Sequence, residues 1–387
     1  MIKRDIGLFL KQMAKEYPVV TITGPRQSGK TTLAQSLFKG HGYANLEDGE
    51  LRQLAEADVK AFFTKFPPPV VIDEIQRAPS LTSAIQVWVD RHREQRGQLI
   101  LTGSQQLHLH HSVSQSLAGR TALLTLLPLS IDEIRNSHGN LHADELIWRG
   151  FMPELYHAPV SPTHYYRNYF QTYVERDVRH LLQIRNLAAF ERFMVLLAGR
   201  VGQLVNLSGL AGETGVSSTT IAEWLSILEA SYIIFRLQPF HSNISKRIVK
   251  SPKLYFTETG LAAYLLGLEN PSQVSRDPLR GNLFENMVIA DVLKARLNRG
   301  QDSRLCFLRT EKGFEIDLVI QRGRALYPVE IKSAMTFHSE LTQNMRAFCK
   351  ATPAAQSPTL IYAGENYPER QGVACLHYTQ VTALAGL

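Results

Sequence analysis

Apolar residues in the first third of the chain fall into short, near-continuous runs separated by stretches where they recur at helical spacing. The runs Val19-Val20-Thr21-Ile22-Thr23, Tyr43-Ala44-Asn45-Leu46, Val70-Val71-Ile72-Asp73, Leu99-Ile100-Leu101-Thr102 and Ala122 to Leu126 predict five strands. Helical patterns over Thr32 to Phe38, Leu51 to Phe66 and Ser83 to Arg93 lie between them, and Pro67-Pro68-Pro69 stops the second. Strands alternating with helices imply a parallel sheet covered on both faces. From Ser130 to Arg200 the pattern is mostly helical. Its aromatics Tyr165, Tyr166, Tyr169, Phe170 and Tyr173 are expected in packing rather than as a base-stacking platform. A compact helical segment over Asn206 to Leu237 follows, and mixed strand and helix signals return after Lys253.

Composition narrows this picture only a little. The 387 residues suffice for two or three domains, and 44% hydrophobic with 20% charged residues is ordinary for a soluble globular protein. Cys306, Cys349 and Cys375 show no paired spacing, which argues against a disulfide framework or a zinc site and fits a reducing cytoplasm. No apolar run approaches bilayer length, and the start of the chain reads as an amphipathic helix rather than a signal segment. A net charge of +7 is a modest bias toward polyanions.

Candidate chemistry changes the picture more. Gly24-Pro25-Arg26-Gln27-Ser28-Gly29-Lys30-Thr31, followed by Thr32, fits the phosphate-loop pattern G-x-x-x-x-G-K-[ST] between a strand and a helix. Such a loop aims backbone N–H groups and a helix N-terminus at one point, where ATP phosphates would bind. Lys30 would reach the β/γ-phosphates, and the Thr31 hydroxyl would ligate Mg²⁺. Asp73-Glu74, ending an apolar strand, has the form of a Walker B pair: Asp73 for Mg²⁺ and Glu74 for the attacking water. Ser104 is the first candidate to sense the γ-phosphate or position water, and Thr102 the second. Two readings stand for Arg120, a finger toward a neighbouring subunit's nucleotide or a partner for a local carboxylate.

The stretches Gly24 to Thr31, Val70 to Gln76, Leu101 to Gln105 and Ser116 to Arg120 resemble the AAA-type (AAA+-like) ATPases that carry a C-terminal DUF4143 domain. The likeness continues through Gly150 to Glu154, Glu175-Arg176-Asp177-Val178, and Thr257 to Leu261, where Glu258 stands in place of an expected Asp. It implies an ATPase of ring-forming ancestry, hence a homo-oligomer.

Two further segments suggest what the ATPase acts on. Leu210 to Leu225 fits a helix-turn-helix, with Ala211 for close helix approach, Gly215 for the turn, and Val216 and Ile221 burying the second helix. Ser217, Ser218, Thr219 and Thr220 would start that helix. Lys246, Arg247, Lys250 and Lys253 would lie in or after a wing on the strand Tyr232 to Leu237, contacting DNA backbone rather than bases. At the C-terminal end, Glu285 on a helix, Asp317 on a strand, and Glu330 with Lys332 on the next strand resemble the PD-(D/E)xK nuclease core. Glu330 and Lys332 share a face because side chains alternate with period two. That resemblance implies Mg²⁺ or Mn²⁺ held by Glu285, Asp317 and Glu330, with Lys332 orienting a metal-bound water.

The expected fold class is α/β. A P-loop parallel-sheet ATPase domain (1–135) leads into a helical lid (136–204), a winged helix-turn-helix (205–255) and a restriction-endonuclease-like domain (256–387). The expected function is Mg²⁺-dependent ATP hydrolysis coupled to DNA remodelling or processing, with a metal-dependent nuclease module. The alternative is an ATP-gated regulatory or scaffold protein with a degenerate nuclease-like domain and a protein-docking winged helix.

Overall fold

All five residues of Val19–Thr23 (β1) are buried, as a strand covered on both faces requires. The strand belongs to a parallel sheet with Gly42–Asn45 (β2), Val70–Asp73 (β3), Leu99–Gly103 (β4) and Thr121–Thr125 (β5), in the order β2-β3-β4-β1-β5. Helices Gly7–Glu16 (α1), Lys30–Leu37 (α2), Gly49–Ala57 (α3), Val59–Lys65 (α4) and Ser80–Arg91 (α5) cover it. Alternation along the strands divides the core. Val19, Ile72, Leu99 and Leu101 pack with Phe62, Leu81 and Ile85 on one face. Val20, Ile22, Ile100 and Leu124 pack with Leu10 and Leu33 on the other. The helix expected over Leu51 to Phe66 is instead α3 and α4. Asp58 separates them, and its carboxylate accepts the Ala61 amide at 2.9 Å to cap α4.

The computed structural model describes residues 2–104, 117–172, 186–240 and 249–386. The chain forms two compact units. The first is Met1–Leu129 with two downstream segments, Ala230–Tyr232 and Leu297–Gln301; the second is Ser130–Glu229, Ile233–Arg296 and Asp302–Leu387.

The second unit begins with helices Ile131–His138 (α6), Ala143–Arg149 (α7), Pro162–Tyr169 (α8) and Leu187–Ala198 (α9). Tyr165, Tyr166, Tyr169 and Phe170 are buried, as the packing reading expects. Tyr173, Glu175 to Val178 and Ser116 lie outside the described residues, as do His108, His110 and His111, for which the sequence favours an exposed loop over a metal site. Glu258 ties together two of the stretches that carry the family resemblance. Its carboxylate accepts the Phe151 amide at 2.9 Å and the Gly260 amide at 3.1 Å. It thereby caps Thr259–Leu265 (α12), which follows Leu207–Thr214 (α10) and Ser218–Ala230 (α11) in the chain.

Gly215 joins α10 to α11 in the left-handed conformation (φ 74°), and its N–H closes on the Ala211 carbonyl at 2.9 Å. Leu210, Ala211, Ile221 and Leu225 are buried, so the helix pair packs as the pattern expects. The strand expected from Tyr232 starts later, as Ile234–Pro239 (β6), because Tyr232 has φ 58° and leaves the extended region. β6 pairs antiparallel with Lys253–Phe256 (β7) and in parallel with Leu305–Arg309 (β8). The sheet continues through Glu315–Arg322 (β9), Ala325–Lys332 (β10), Thr359–Tyr362 (β11), Tyr367–Arg370 (β12) and Val373–His377 (β13). Its order is β12-β13-β11-β10-β9-β8-β6-β7. Pro271–Arg276 (α13), Arg280–Leu297 (α14) and Gln343–Ala351 (α15) are further helices among the described residues of this part. Among the described residues no helix is long and apolar enough to cross a membrane.

Candidate functional site

The loop between β1 and α2 is built for close approach. A Cβ on Gly24 (φ 146°) would overlap the Leu126 carbonyl oxygen, so only glycine fits there. Gln27 (φ 61°) and Gly29 (φ 91°) both take left-handed backbone, which turns the loop into the start of α2. No side chain caps that helix, leaving its first N–H groups to a ligand. Lys30 folds back onto the loop, its Nζ donating to the carbonyls of Gly24 at 3.1 Å and Pro25 at 2.7 Å. Burial pulls its pKa down to about 8, against the opposing pull of Glu74 and Asp73. Ser28 Oγ is buried without a hydrogen-bond partner. Arg26 is half-buried, and Gln27 and Thr32 are exposed. From outside the motif, Arg4 donates to the Ser28 carbonyl at 2.7 Å and the Leu127 carbonyl at 2.6 Å.

The two acids lie beside this loop. Thr31 Oγ1 donates to both Asp73 oxygens at 2.9 Å, and Tyr43 Oη donates to Asp73 Oδ2 at 3.1 Å. Thr102 Oγ1 donates to Asp73 Oδ1 and accepts the Glu74 amide at 3.3 Å, so one hydroxyl organises both acids. Glu74 is left-handed (φ 57°), a strained conformation for a side chain of its size. Its Oε2 accepts from Ser104 Oγ at 3.1 Å and from Gln76 Nε2. Asp73, Glu74, Ser104 and Thr102 are the residues expected here from their sequence context. Arg4, Tyr43 and Gln76 join them with no such signal in the sequence. The donor set and the orphaned Ser28 hydroxyl fit Mg²⁺ and a phosphate chain, with Thr31 and Asp73 as the residues that would hold the metal.

Arg120 Nε and Nη2 grip Asp90 of α5 at 2.9 and 3.0 Å, a two-pronged pair within the same unit.

In the second unit, Asp317 of β9 meets Glu330 and Lys332 of β10 across an antiparallel hairpin. Lys332 Nζ donates to Asp317 Oδ2 at 2.6 Å and Glu330 Oε2 at 2.8 Å, as alternation on one face predicts. Burial, then Asp317, pushes the Glu330 pKa up to about 9. Glu285 of α14 is engaged elsewhere. It accepts from Lys253 Nζ at 3.0 Å and Tyr255 Oη at 2.5 Å, while Lys253 also pairs with Glu315 at 2.5 Å. Burial, with Asp317 adding to it, raises the Glu285 pKa. Among the described residues no group of three His, Cys, Asp or Glu side chains is disposed to hold a metal ion. As arranged, Glu285 is held by Lys253 and Tyr255 while Asp317 and Glu330 share Lys332, so the three carboxylates do not converge on the divalent ion expected there.

The candidate DNA surface is mixed. Ser217, Ser218, Thr219 and Lys250 are exposed, and Thr220 is half-buried. Ser217 Oγ caps α11 by accepting the Thr220 amide at 3.0 Å. Lys246 and Arg247 lie outside the described residues. Lys253, expected with the wing cations, is buried in the acid cluster and unavailable to a phosphate.

Residues 16–135 match the family described as an AAA domain. Residues 140–272 and 280–381 match domains of unknown function, DUF8612 and DUF4143. An uncharacterized protein of Mycobacterium tuberculosis is 31% identical over 94% of this chain and 80% of its own length. One of Haemophilus influenzae is 21% identical over 84% and 85%. Among solved structures, the Walker-type ATPase of Pyrococcus abyssi is similar at 13% identity and a TM-score of 0.40, covering 68% of this chain and 96% of that one. With that identity to the mycobacterial protein across nearly all its length, the chain belongs to the same family, that of AAA-type, P-loop ATPase-fold proteins with a C-terminal DUF4143 region.

Proposed function

We propose that this protein binds Mg·ATP at Gly24 to Thr32, hydrolyses it with a water oriented by Glu74, and uses the cycle to remodel DNA. The observation that carries the hydrolytic part is the pairing of Thr31 with Asp73 at 2.9 Å, beside a Glu74 carboxylate fixed by Ser104 and Gln76. Lys30 would exchange the Gly24 and Pro25 carbonyls for the β/γ-phosphates, whose negative charge compensates its buried ammonium. Mg²⁺, when bound, offsets the phosphate charge. Glu74 orients the water and accepts its proton. Assembly into homo-oligomers belongs to this reading through the family resemblance.

The exposed hydroxyls at the start of α11, Lys250 and the net charge of +7 support backbone contact with DNA. Lys253, buried between Glu285 and Glu315, favours a terminal domain that holds DNA without cutting it. It equally fits the second reading, an ATP-gated regulatory or scaffold protein whose winged helix docks a protein. One experiment separates these. ATP hydrolysis and DNA integrity are followed with linear, forked and four-way DNA, in Mg²⁺ or Mn²⁺. DNA-stimulated hydrolysis with intact DNA is expected, and hydrolysis indifferent to DNA favours the scaffold. A cut that disappears in Asp317→Ala and Glu330→Ala would restore the nuclease.

A further inference from the structure

Thr23 is the last residue of β1, and the phosphate loop starts at its carbonyl. Its backbone is held from β5, where the Leu126 amide donates to the Thr23 carbonyl at 2.8 Å. Its hydroxyl donates to the Leu124 carbonyl at 3.2 Å and lies 3.3 Å from Thr125 Oγ1. One lone pair of that hydroxyl takes a bond from far along the chain. Tyr232 Oη donates to Thr23 Oγ1 at 2.8 Å, across a separation of 209 residues.

Tyr232 reaches this point in an unusual conformation. Its φ of 58° is unfavourable for a bulky side chain and persists only where the surroundings hold it. Ala230–Tyr232 packs as part of the ATPase unit, although the chain on either side belongs to the second unit. Ser231 beside it is buried. The position leaves the loop little slack, since Gly24 already touches Leu126 too closely for a Cβ and its carbonyl accepts Lys30 Nζ. A shift at Thr23 therefore moves the carbonyl that holds the phosphate-binding lysine.

We propose that Tyr232 is a positioning residue for the ATP site, fixing the β1 end of the phosphate loop through Thr23. Residues 16–135, the AAA match, therefore lack a part of the site. The inference rests on the ATP-site reading above, and its test keeps the two apart. Binding of a fluorescent ATP analogue with Mg²⁺ is measured on the full chain for Tyr232→Phe, Thr23→Val and the double variant, alongside melting without nucleotide. Tyr232→Phe keeps the ring and removes only the hydroxyl. Its affinity is expected to fall about three- to tenfold, with melting lowered by no more than about 4 °C. Thr23→Val is expected to lose a similar factor, and the double variant no more than either. Unchanged affinity in Tyr232→Phe, fully additive losses, or losses that track melting temperature overturn the proposal while leaving the ATP site intact. Wild-type protein that binds no analogue overturns the ATP-site reading and this one with it.

Discussion

Ser104 Oγ donates to Glu74 Oε2 at 3.1 Å, joining the residues that follow β4 and β3 in the parallel sheet. The hydroxyl expected to face the γ-phosphate thus holds the acid expected to orient water. Glu74→Gln keeps the shape and removes the base. Hydrolysis should fall by about 100-fold or more, with ATP affinity within about threefold of wild type. Ser104→Ala, which leaves Gln76 in place, should lose about tenfold or less in turnover. Single-turnover rates and analogue binding check both, and a Glu74→Gln protein at wild-type rate removes Glu74 from the mechanism.

Lys30 predicts a pH dependence. Its folded-state pKa of about 8 lies below the unfolded value of 10.5, so the nucleotide-free fold carries an unfavourable buried charge below pH 8. The unfolded state binds more protons between pH 8 and 10.5, and Lys30 makes the fold more stable as pH rises through that window. Phosphate reverses the preference by favouring the ammonium. ATP binding should therefore take up a proton above pH 8 and weaken as pH rises further. Binding heats in two buffers of different ionisation enthalpy, compared at pH 8.5, measure the uptake, and equal heats would refute it.

Local features were the legible ones. The five buried residues of β1, the loop glycines and the acids ending β3 each declare themselves within a few positions. The break at Asp58 was also readable, since an Asp inside an apolar-periodic stretch is a standing N-cap signal. What stayed hidden was brought from afar: Arg4 to Ser28, Tyr43 to Asp73, Tyr232 to Thr23. Nothing local marks which tyrosine a folded chain will deliver to a site. Lys250 and Lys253 read alike in the sequence, yet only Lys253 enters β7, where the strand's burial carries it into the acid cluster.

The Arg120–Asp90 pair gives opposite expectations for the two readings of Arg120. A residue that only braces α5 against the start of β5 should tolerate loss of either partner alike. Asp90→Ala and Arg120→Ala are then expected to hydrolyse ATP within about twofold of wild type, as exposed pairs contribute little. An arginine finger instead predicts a loss of about 1000-fold in Arg120→Ala alone. Steady-state hydrolysis at several protein concentrations decides between them.

Lys253 tests whether the acid cluster is an internal salt-bridge network. Its side chain is 3% exposed and lies between Glu285 and Glu315. Burial alone would lower its pKa, but Glu285 and Glu315 outweigh it and raise the value. Lys253→Met removes the ammonium shared by two carboxylates, and the loss should be about 3–5 kcal/mol in denaturant unfolding. Glu315 keeps Arg309 at 3.2 Å, so Glu285, left with the Tyr255 hydroxyl, is the acid without a cation. Adding Glu285→Gln to Lys253→Met should then recover much of the loss, since an uncharged pair removes the stranded charge. Lys250→Met, on the exposed side of the same connection, should leave stability unchanged. If Lys253→Met is instead rescued by Mg²⁺ or Mn²⁺ in place of the second substitution, the cluster accepts a divalent ion once the ammonium is gone, and the metal reading of Glu285, Asp317 and Glu330 returns.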